Sequence, residues 1–387
     1  MTKQTKPLLA ITMGDPAGVG PEVIVGAWPD ARVHQHVRPF VVGHPELLQR
    51  AANLLHLDMH IAEVTSPSRS QPPVADAGTI SCLRVWSDEV LDVPPGRVDA
   101  RAGEAAYQAV RVAAELALHK QVDGIVTAPL SKAALHAAGH HYPGHTELLA
   151  EMCGVTDFAM MLYLSRGAGD WGLGARVWQK GEVASGQEVQ STEYAVPNRE
   201  ASSSEHPSPQ PPAPSPGLGV AHVTLHQSLR SVFADLTSES IVAKCHLADG
   251  AMRRLGVAQP RLAVCALNPH AGEDGLFGDE ERTIIAPAVV EARRAGLDVT
   301  GPLPTDTLMV AARDGQFDAV VAMYHDQGHI ALKLLGMHAA VNITLGLPIV
   351  RTSVAHGTAF DRAWQGTANH EGMIAALRTA GQLATTI

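Results

Sequence analysis

Three histidines in this 387-residue chain share one setting. His226 closes Val223-Thr224-Leu225-His226, His270 lies in Asn268-Pro269-His270-Ala271-Gly272-Glu273, and His325 lies in Tyr324-His325-Asp326-Gln327-Gly328. Each follows a short apolar run: Val220 to Leu225, Leu262 to Leu267 and Ala319 to Met323. Runs of this kind read as strands covered on both faces. Residues just past the carboxyl ends of parallel strands converge on the ligand crevice. Imidazoles gathered there bind a divalent ion, and an open coordination position polarises a substrate oxygen. Taken singly, each is equally a hydrogen-bonded histidine. A fourth, His145, lies in Gly144-His145-Thr146-Glu147. Lys333, Asn342 and Arg351 form a second set. Arg grips phosphate or carboxylate oxygens as a fork and Lys as a point charge. In an acidic chain, two cations close in sequence to a metal loop point to an anionic substrate; surface ion pairs are the alternative.

Strands and helices must alternate to bring these residues together. The run Leu8 to Met13 reads as a buried strand, followed by the turn Gly14-Asp15-Pro16-Ala17-Gly18-Val19-Gly20 and a helix opened by Pro21. Three glycines in such a turn let backbone amides approach an anion, but the spacing is neither GxGxxG nor a P-loop, and a purely structural turn fits as well. A strand is expected at Phe40 to Gly43 and another at Gly124 to Thr127. Ala106, Val110, Ala113 and Ala117 recur at helical spacing and predict a helix from Gly103 to His119. The recurring order of strand, helix, strand predicts an α/β fold with a mostly parallel sheet.

Composition narrows the function. Lys plus Arg is 29 against 39 Asp plus Glu, a net charge of −10 that excludes non-specific nucleic-acid binding. No apolar run reaches the ~18 residues of a membrane span, and no secretory signal opens the chain, so a cytoplasmic location is expected. The four cysteines are scattered without a CxxC pair, against a zinc ribbon or redox motif. Periodicity is lost at about 166–219, where Pro197 to Pro216 holds seven prolines and a Ser202-Ser203-Ser204 run. This stretch is expected to be a disordered insertion within one domain, because strand-like sequence stops at Met161-Leu162-Tyr163 and resumes at Val220.

Along the chain follow Met13-Gly14-Asp15-Pro16-Ala17-Gly18-Val19-Gly20-Pro21-Glu22, Gly144-His145-Thr146-Glu147, Asn268-Pro269-His270-Ala271-Gly272-Glu273, Gly301-Pro302-Leu303-Pro304-Thr305-Asp306-Thr307, Tyr324-His325-Asp326-Gln327-Gly328 and Val341-Asn342-Ile343-Thr344-Leu345-Gly346-Leu347-Pro348. In this order they resemble the 4-hydroxythreonine-4-phosphate dehydrogenase family of pyridoxal phosphate biosynthesis. The resemblance covers nearly the whole chain apart from the insertion. It implies two α/β/α domains like those of isocitrate and isopropylmalate dehydrogenases, one of residues 1–128 with 335–387 and one of 129–334. It implies an NAD-dependent (or NADP-dependent) oxidation of 4-phosphohydroxy-L-threonine to the 3-keto acid, followed by decarboxylation. One divalent metal per site (Zn, Co, Mg or Mn) would polarise the alcohol and later the enolate. The family's metal ligands fall on His226, His270 and His325, with His325 expected from the partner subunit of a homodimer. Its substrate contacts fall on His145, Thr146, Lys333, Asn342 and Arg351, and its cofactor loop on His356, Gly357, Thr358 and Asp361. Lys333 and Asp306 are the catalytic candidates, although a turn or helix N-cap role suits Asp306 equally.

Three departures from the family pattern stand out. Ala355 replaces an acidic residue before the His356 loop, His329 replaces an apolar residue, and the insertion precedes His226. The last two keep open a related activity on D-threonate or D-erythronate 4-phosphate. A non-catalytic metal- or nucleotide-binding protein is the reading from another class. Retention of all three histidines with Lys333 and Arg351 argues against it.

Overall fold

A computed structural model describes residues 6–166 and 216–385. The disorder expected at 166–219 falls almost wholly outside the described residues. Thirteen strands form one sheet: β1 (Leu8–Thr12), β2 (Arg38–Gly43), β3 (His60–Val64), β4 (Ala75–Asp76), β5 (Thr79–Arg84), β6 (Gly124–Thr127), β7 (Ala159–Ser165), β8 (Gly217–His222), β9 (Arg261–Cys265), β10 (Asp298–Leu303), β11 (Ala319–Ala322), β12 (Val341–Leu345) and β13 (Arg351–Val354). Their order is β10-β9-β11-β8-β7-β12-β13-β6-β1-β2-β5-β3, with β4 on the edge of β5. Parallel pairing runs from β3 to β13 on one side and from β8 to β10 on the other. Between them, β13, β12, β7 and β8 pair antiparallel. The expected α/β class and mostly parallel sheet are therefore present.

Alternation along the central strands explains why both faces are covered. Leu162, Leu164, Val220, Ala263 and Val320 point toward the helices Thr305–Arg313 and His325–Gly336. Their neighbours Met161, Tyr163, Ala221, Val264 and Val321 point to the opposite core, which holds Ile241, Cys245 and Val289. The helix expected at Gly103 to His119 runs from Ala100 to Leu118, because Asp99 accepts from the Arg101 N–H and starts it earlier. Its alanines bring it close to β1, β2 and β6. The expected strands at Leu262 and Ala319 end one or two residues early, at Cys265 and Ala322. The residues that follow turn away to form the histidine loops.

The Gly14–Gly20 turn serves close packing. Gly14 has φ +74°, and a Cβ there would lie 2.2 Å from the Pro129 carbonyl oxygen; one on Gly18 would meet Thr358 at 3.0 Å. The Val19 N–H donates to the Thr358 carbonyl at 3.0 Å. The buried Glu22 carboxylate accepts from the Trp364 and Gly366 amides, which ties the C-terminal loop to this turn. Within the turn, Asp15 is fully buried and accepts from the Ala17 N–H at 2.8 Å. Burial, with a smaller push from Asp99, raises its pKa from 3.8 to about 6. The folded state thus holds the Asp15 proton more tightly than the unfolded chain. Stability is greatest with Asp15 protonated and falls as pH rises from about 4 to about 6, by on the order of 3 kcal/mol. Asp15→Asn removes this dependence. The variant is expected to melt about 3–5 °C higher at pH 7.5 and to show a flatter melting profile between pH 4 and 6. Superimposable profiles for the two proteins would refute the assignment.

The two ends of the insertion are adjacent. Ser165 pairs with Gly217, and the Arg166 N–H donates to the Pro216 carbonyl at 2.8 Å. β7 and β8 are thus antiparallel neighbours, with residues 167–215 between them in sequence. Replacing 167–215 with Asn-Gly is expected to leave the melting temperature within about 2 °C, since a two-residue turn closes such a pair. A drop beyond 5 °C would show that the segment braces the body.

Candidate active site

A cavity of about 320 Å³ lies against the central strands. Its floor is Arg351 at the start of β13 and Asn342 on β12, with Thr127 at the end of β6. Lys132 and His145 open two short helices beside it, and Lys333 and His329 come from the His325–Gly336 helix. His226 and His325 close the opposite wall, and His356 and Gly357 form one rim. A second cavity of about 550 Å³, lined by Leu225, Ser228, Leu229, Val232 and Tyr324, shares His226 and His325 with the first.

Arg351 is buried. Its Nη1 donates to Thr344 Oγ1 at 2.9 Å and its Nη2 to Thr127 Oγ1 at 2.7 Å. Burial lowers its pKa to about 10, so it stays charged at neutral pH with no carboxylate bonded to it. Four lining side chains have a buried polar atom that lacks a partner among the described residues: Arg351 Nε, Asn342 Oδ1, His145 Nε2 and His356 Nε2. Buried polar atoms are nearly always satisfied, so this concentration marks where a polar ligand binds. Burial, then Arg351 and Lys132, hold the His145 pKa well below its usual value, so its ring is neutral. The His356 Nδ1–H donates to the Gly357 carbonyl at 3.0 Å, which makes Nε2 an acceptor.

The histidine wall has a donor set suited to a metal. His226 Nδ1 lies 2.9 Å from Glu147 Oε1, and His325 Nδ1 lies 2.6 Å from Asp326 Oδ1. A carboxylate only accepts, so both rings carry the proton on Nδ1 and keep the Nε2 lone pair for a ligand. Their ring centroids are 5.7 Å apart. Burial alone would raise the Glu147 pKa, but the bond from His226 and the nearby Lys132 bring the net below the usual value.

The structure brings together His145, Thr146, His226, His325, Lys333, Asn342, Arg351, His356 and Gly357. Thr358 packs behind the rim against Gly18, and Asp361 is exposed. His270 is exposed in a left-handed segment, with its ring 6.4 Å from that of Phe277, and is not among the described residues lining either cavity. Among the described residues, no three His, Cys, Asp or Glu side chains gather to hold a metal. Sequence reading assigned His325 to the partner subunit; here it stands beside His226 of its own chain, because β8 and β11 are adjacent and parallel. His270 is the expected ligand that the chain sets apart from these two. Asp306 is also exposed, on the first turn of the Thr305–Arg313 helix, where it accepts from the Thr307 N–H at 2.8 Å. Sequence reasoning missed Thr127, Lys132 and Glu147. Thr127 and Lys132 follow the same strand-end signal as the histidines, whereas Glu147 gives no signal until His226 is placed beside it.

Residues 35–167 and 210–380 match the sequence model of the family described as pyridoxal phosphate biosynthetic protein PdxA. The chain belongs to the PdxA family. The unmatched residues 168–209 fall inside the Pro/Ser-rich stretch. It is 41% identical over 384 residues to the D-threonate 4-phosphate dehydrogenase of Salmonella typhimurium, covering 97% of this chain and 98% of that protein. It is 40% identical over 384 residues to the 4-hydroxythreonine-4-phosphate dehydrogenase of Trichlorobacter lovleyi, covering 98% of both. Among solved structures, the 4-hydroxythreonine-4-phosphate dehydrogenase of Klebsiella pneumoniae is 39% identical, with a TM-score of 0.76 over 98% of this chain and all of that one. The relatives are dehydrogenases of 4-phosphorylated substrates, and no described helix is long and apolar enough to cross a membrane.

Proposed function

We propose that this PdxA-family chain oxidises the C3 alcohol of 4-phosphohydroxy-L-threonine with NAD (or NADP), and that the 3-keto acid then loses carbon dioxide. The observation that carries this reading is the buried, carboxylate-free Arg351 on the floor of a cavity that also holds Lys132 and Lys333. Such a floor selects a dianionic phosphate and a carboxylate. Asn342 Oδ1 and the neutral His145 ring are left for polar groups of the substrate, and His356 with Gly357 meets the dinucleotide. When bound, the dinucleotide takes the hydride and a divalent ion polarises the alcohol oxygen. His226 and His325, each oriented by a carboxylate, would hold that ion with His270 of the partner subunit.

The exposed apolar surface near both segments supports completion by a second copy. Ile330, Leu334 and Met337 expose one apolar helix face beside the site, with Leu334 82% exposed, and Leu276 and Phe277 are exposed next to His270. The segment of Asp306 packs beside that of His270, so a second copy would bring both. We take residues 1–128 with 335–387 and residues 129–334 as two units. The β12–β7 seam between them lies at the cavity.

D-Threonate 4-phosphate is the second reading. It is supported by the cations of the cavity, which outnumber its carboxylates and suit an acid without an ammonium group. NADH formation from 4-phosphohydroxy-L-threonine, D-threonate 4-phosphate and D-erythronate 4-phosphate tests both readings. A kcat/KM at least tenfold higher for the first substrate is the expected result. Preference for a sugar acid would move the enzyme to the second reading, and no turnover on any would reject both.

A further inference from the structure

His329 is accounted for by neither the metal set nor the cations. It lies one helical turn after His325, and the two rings stack with centroids 3.8 Å apart and planes at 13°. The helix reaches this position because Gly328 has no side chain. A Cβ there would lie 2.5 Å from Val220 Cγ1 and 2.7 Å from His222 Nε2. That close approach sets His329 Nδ1 3.1 Å from His222 Nε2, and His222 Nδ1 3.1 Å from the Met160 carbonyl oxygen.

This short chain of hydrogen bonds fixes both tautomers. A carbonyl only accepts, so His222 Nδ1 carries a proton and His222 Nε2 presents its lone pair. His222 Nε2 must then receive the proton of His329 Nδ1. His329 lines the substrate cavity, and with Nδ1 committed to His222 its remaining ring nitrogen is Nε2, an acceptor only. An acceptor in this cavity needs a donor from the ligand. The phosphate and carboxylate of the substrate are themselves acceptors at neutral pH. The donors are the reacting C3 hydroxyl and the substituent at C2, an ammonium or a hydroxyl. The function proposed above places the C3 oxygen on the ion that His226 and His325 would hold, which leaves the C2 substituent for His329.

Resting on the function proposed above, we infer that His329, oriented by His222, is a specificity residue that accepts a hydrogen bond from the C2 substituent of the substrate. The acceptor is compatible with either substrate reading and excludes neither. It disfavours acids that carry only hydrogen at C2, because His329 Nε2 then has no substrate donor to accept from.

The test compares substrates with and without the C2 donor in one enzyme. Wild type, His329→Leu and His329→Gln are assayed with 4-phosphohydroxy-L-threonine, D-threonate 4-phosphate and 3-hydroxy-4-phosphonooxybutanoate, the analogue with hydrogen at C2. His329→Leu is expected to lower kcat/KM about 20-fold or more for whichever of the first two the wild type uses, and less than threefold for the analogue. His329→Gln, which keeps an acceptor near the Nε2 position, is expected to recover activity to within about fivefold. His222→Leu supplies a second variant and is expected to produce the same donor-selective loss. An equal loss on donor-bearing substrate and analogue, or no loss on either, would overturn the inference. Wild type without turnover on any of these acids would overturn the functional reading instead.

Discussion

His270→Ala is expected to reduce kcat by about a thousandfold or more while the protein stays folded. The exposed side chain contributes little to packing, so the melting temperature is expected to move by no more than about 2 °C. Bound divalent metal is expected to fall from about one ion per chain to near zero, since His226 and His325 alone leave a two-nitrogen site. The variant also reports on assembly. Mixed dimers of His270→Ala and His226→Ala chains would hold one site with all three ligands, if His270 acts on the partner's site. Recovery of up to about half the wild-type activity per site after subunit exchange is the expected outcome. A His270→Ala protein with normal metal content and rate would remove His270 from the ligand set.

Arg351→Leu should separate function from stability. The guanidinium contributes to no carboxylate pair, and its lowered pKa means that burial opposes its charge. A cation whose folded pKa is depressed destabilises the fold at every pH below that folded value, near 10 here, and the penalty fades as pH rises toward 12.5. Replacing it with an apolar side chain is therefore expected to leave the melting temperature unchanged or a few degrees higher. The same change removes the fork that binds the substrate anion. A loss of about a thousandfold in kcat/KM, about 4 kcal/mol, is expected, with Arg351→Lys intermediate. Saturating substrate should raise the melting temperature of wild type and fail to raise that of Arg351→Leu. A fall of more than 5 °C in the unliganded variant would recast Arg351 as a brace between β12, β13 and β6.

The sheet and the strand-end loops were legible because parallel strands buried on both faces leave continuous apolar runs, as at Leu8 and Ala319. The site was legible wherever a residue follows such a run directly, as His325 does. Three features lay beyond that signal. His270 stands apart because Asn268-Pro269 opens a left-handed turn, and Glu281 holds this turn by accepting from the Leu267 and Asn268 amides. The pairing of His226 with His325 depends on the adjacency of β8 and β11, strands almost a hundred residues apart in sequence. Glu147 acts through His226, a contact across 79 positions that no local motif encodes. Long-range pairing decides the last two, and a single sequence records it only indirectly.

The central claim is a metal-assisted oxidation in the cavity floored by Arg351. The most direct measurement is NADH formation from the 4-phosphorylated substrate before chelation, after it, and after return of Zn, Co, Mg or Mn. Chelation is expected to abolish turnover and at least one of these ions to restore it, with recovery absent in His226→Ala. Full-rate NADH formation by the chelated enzyme would contradict it.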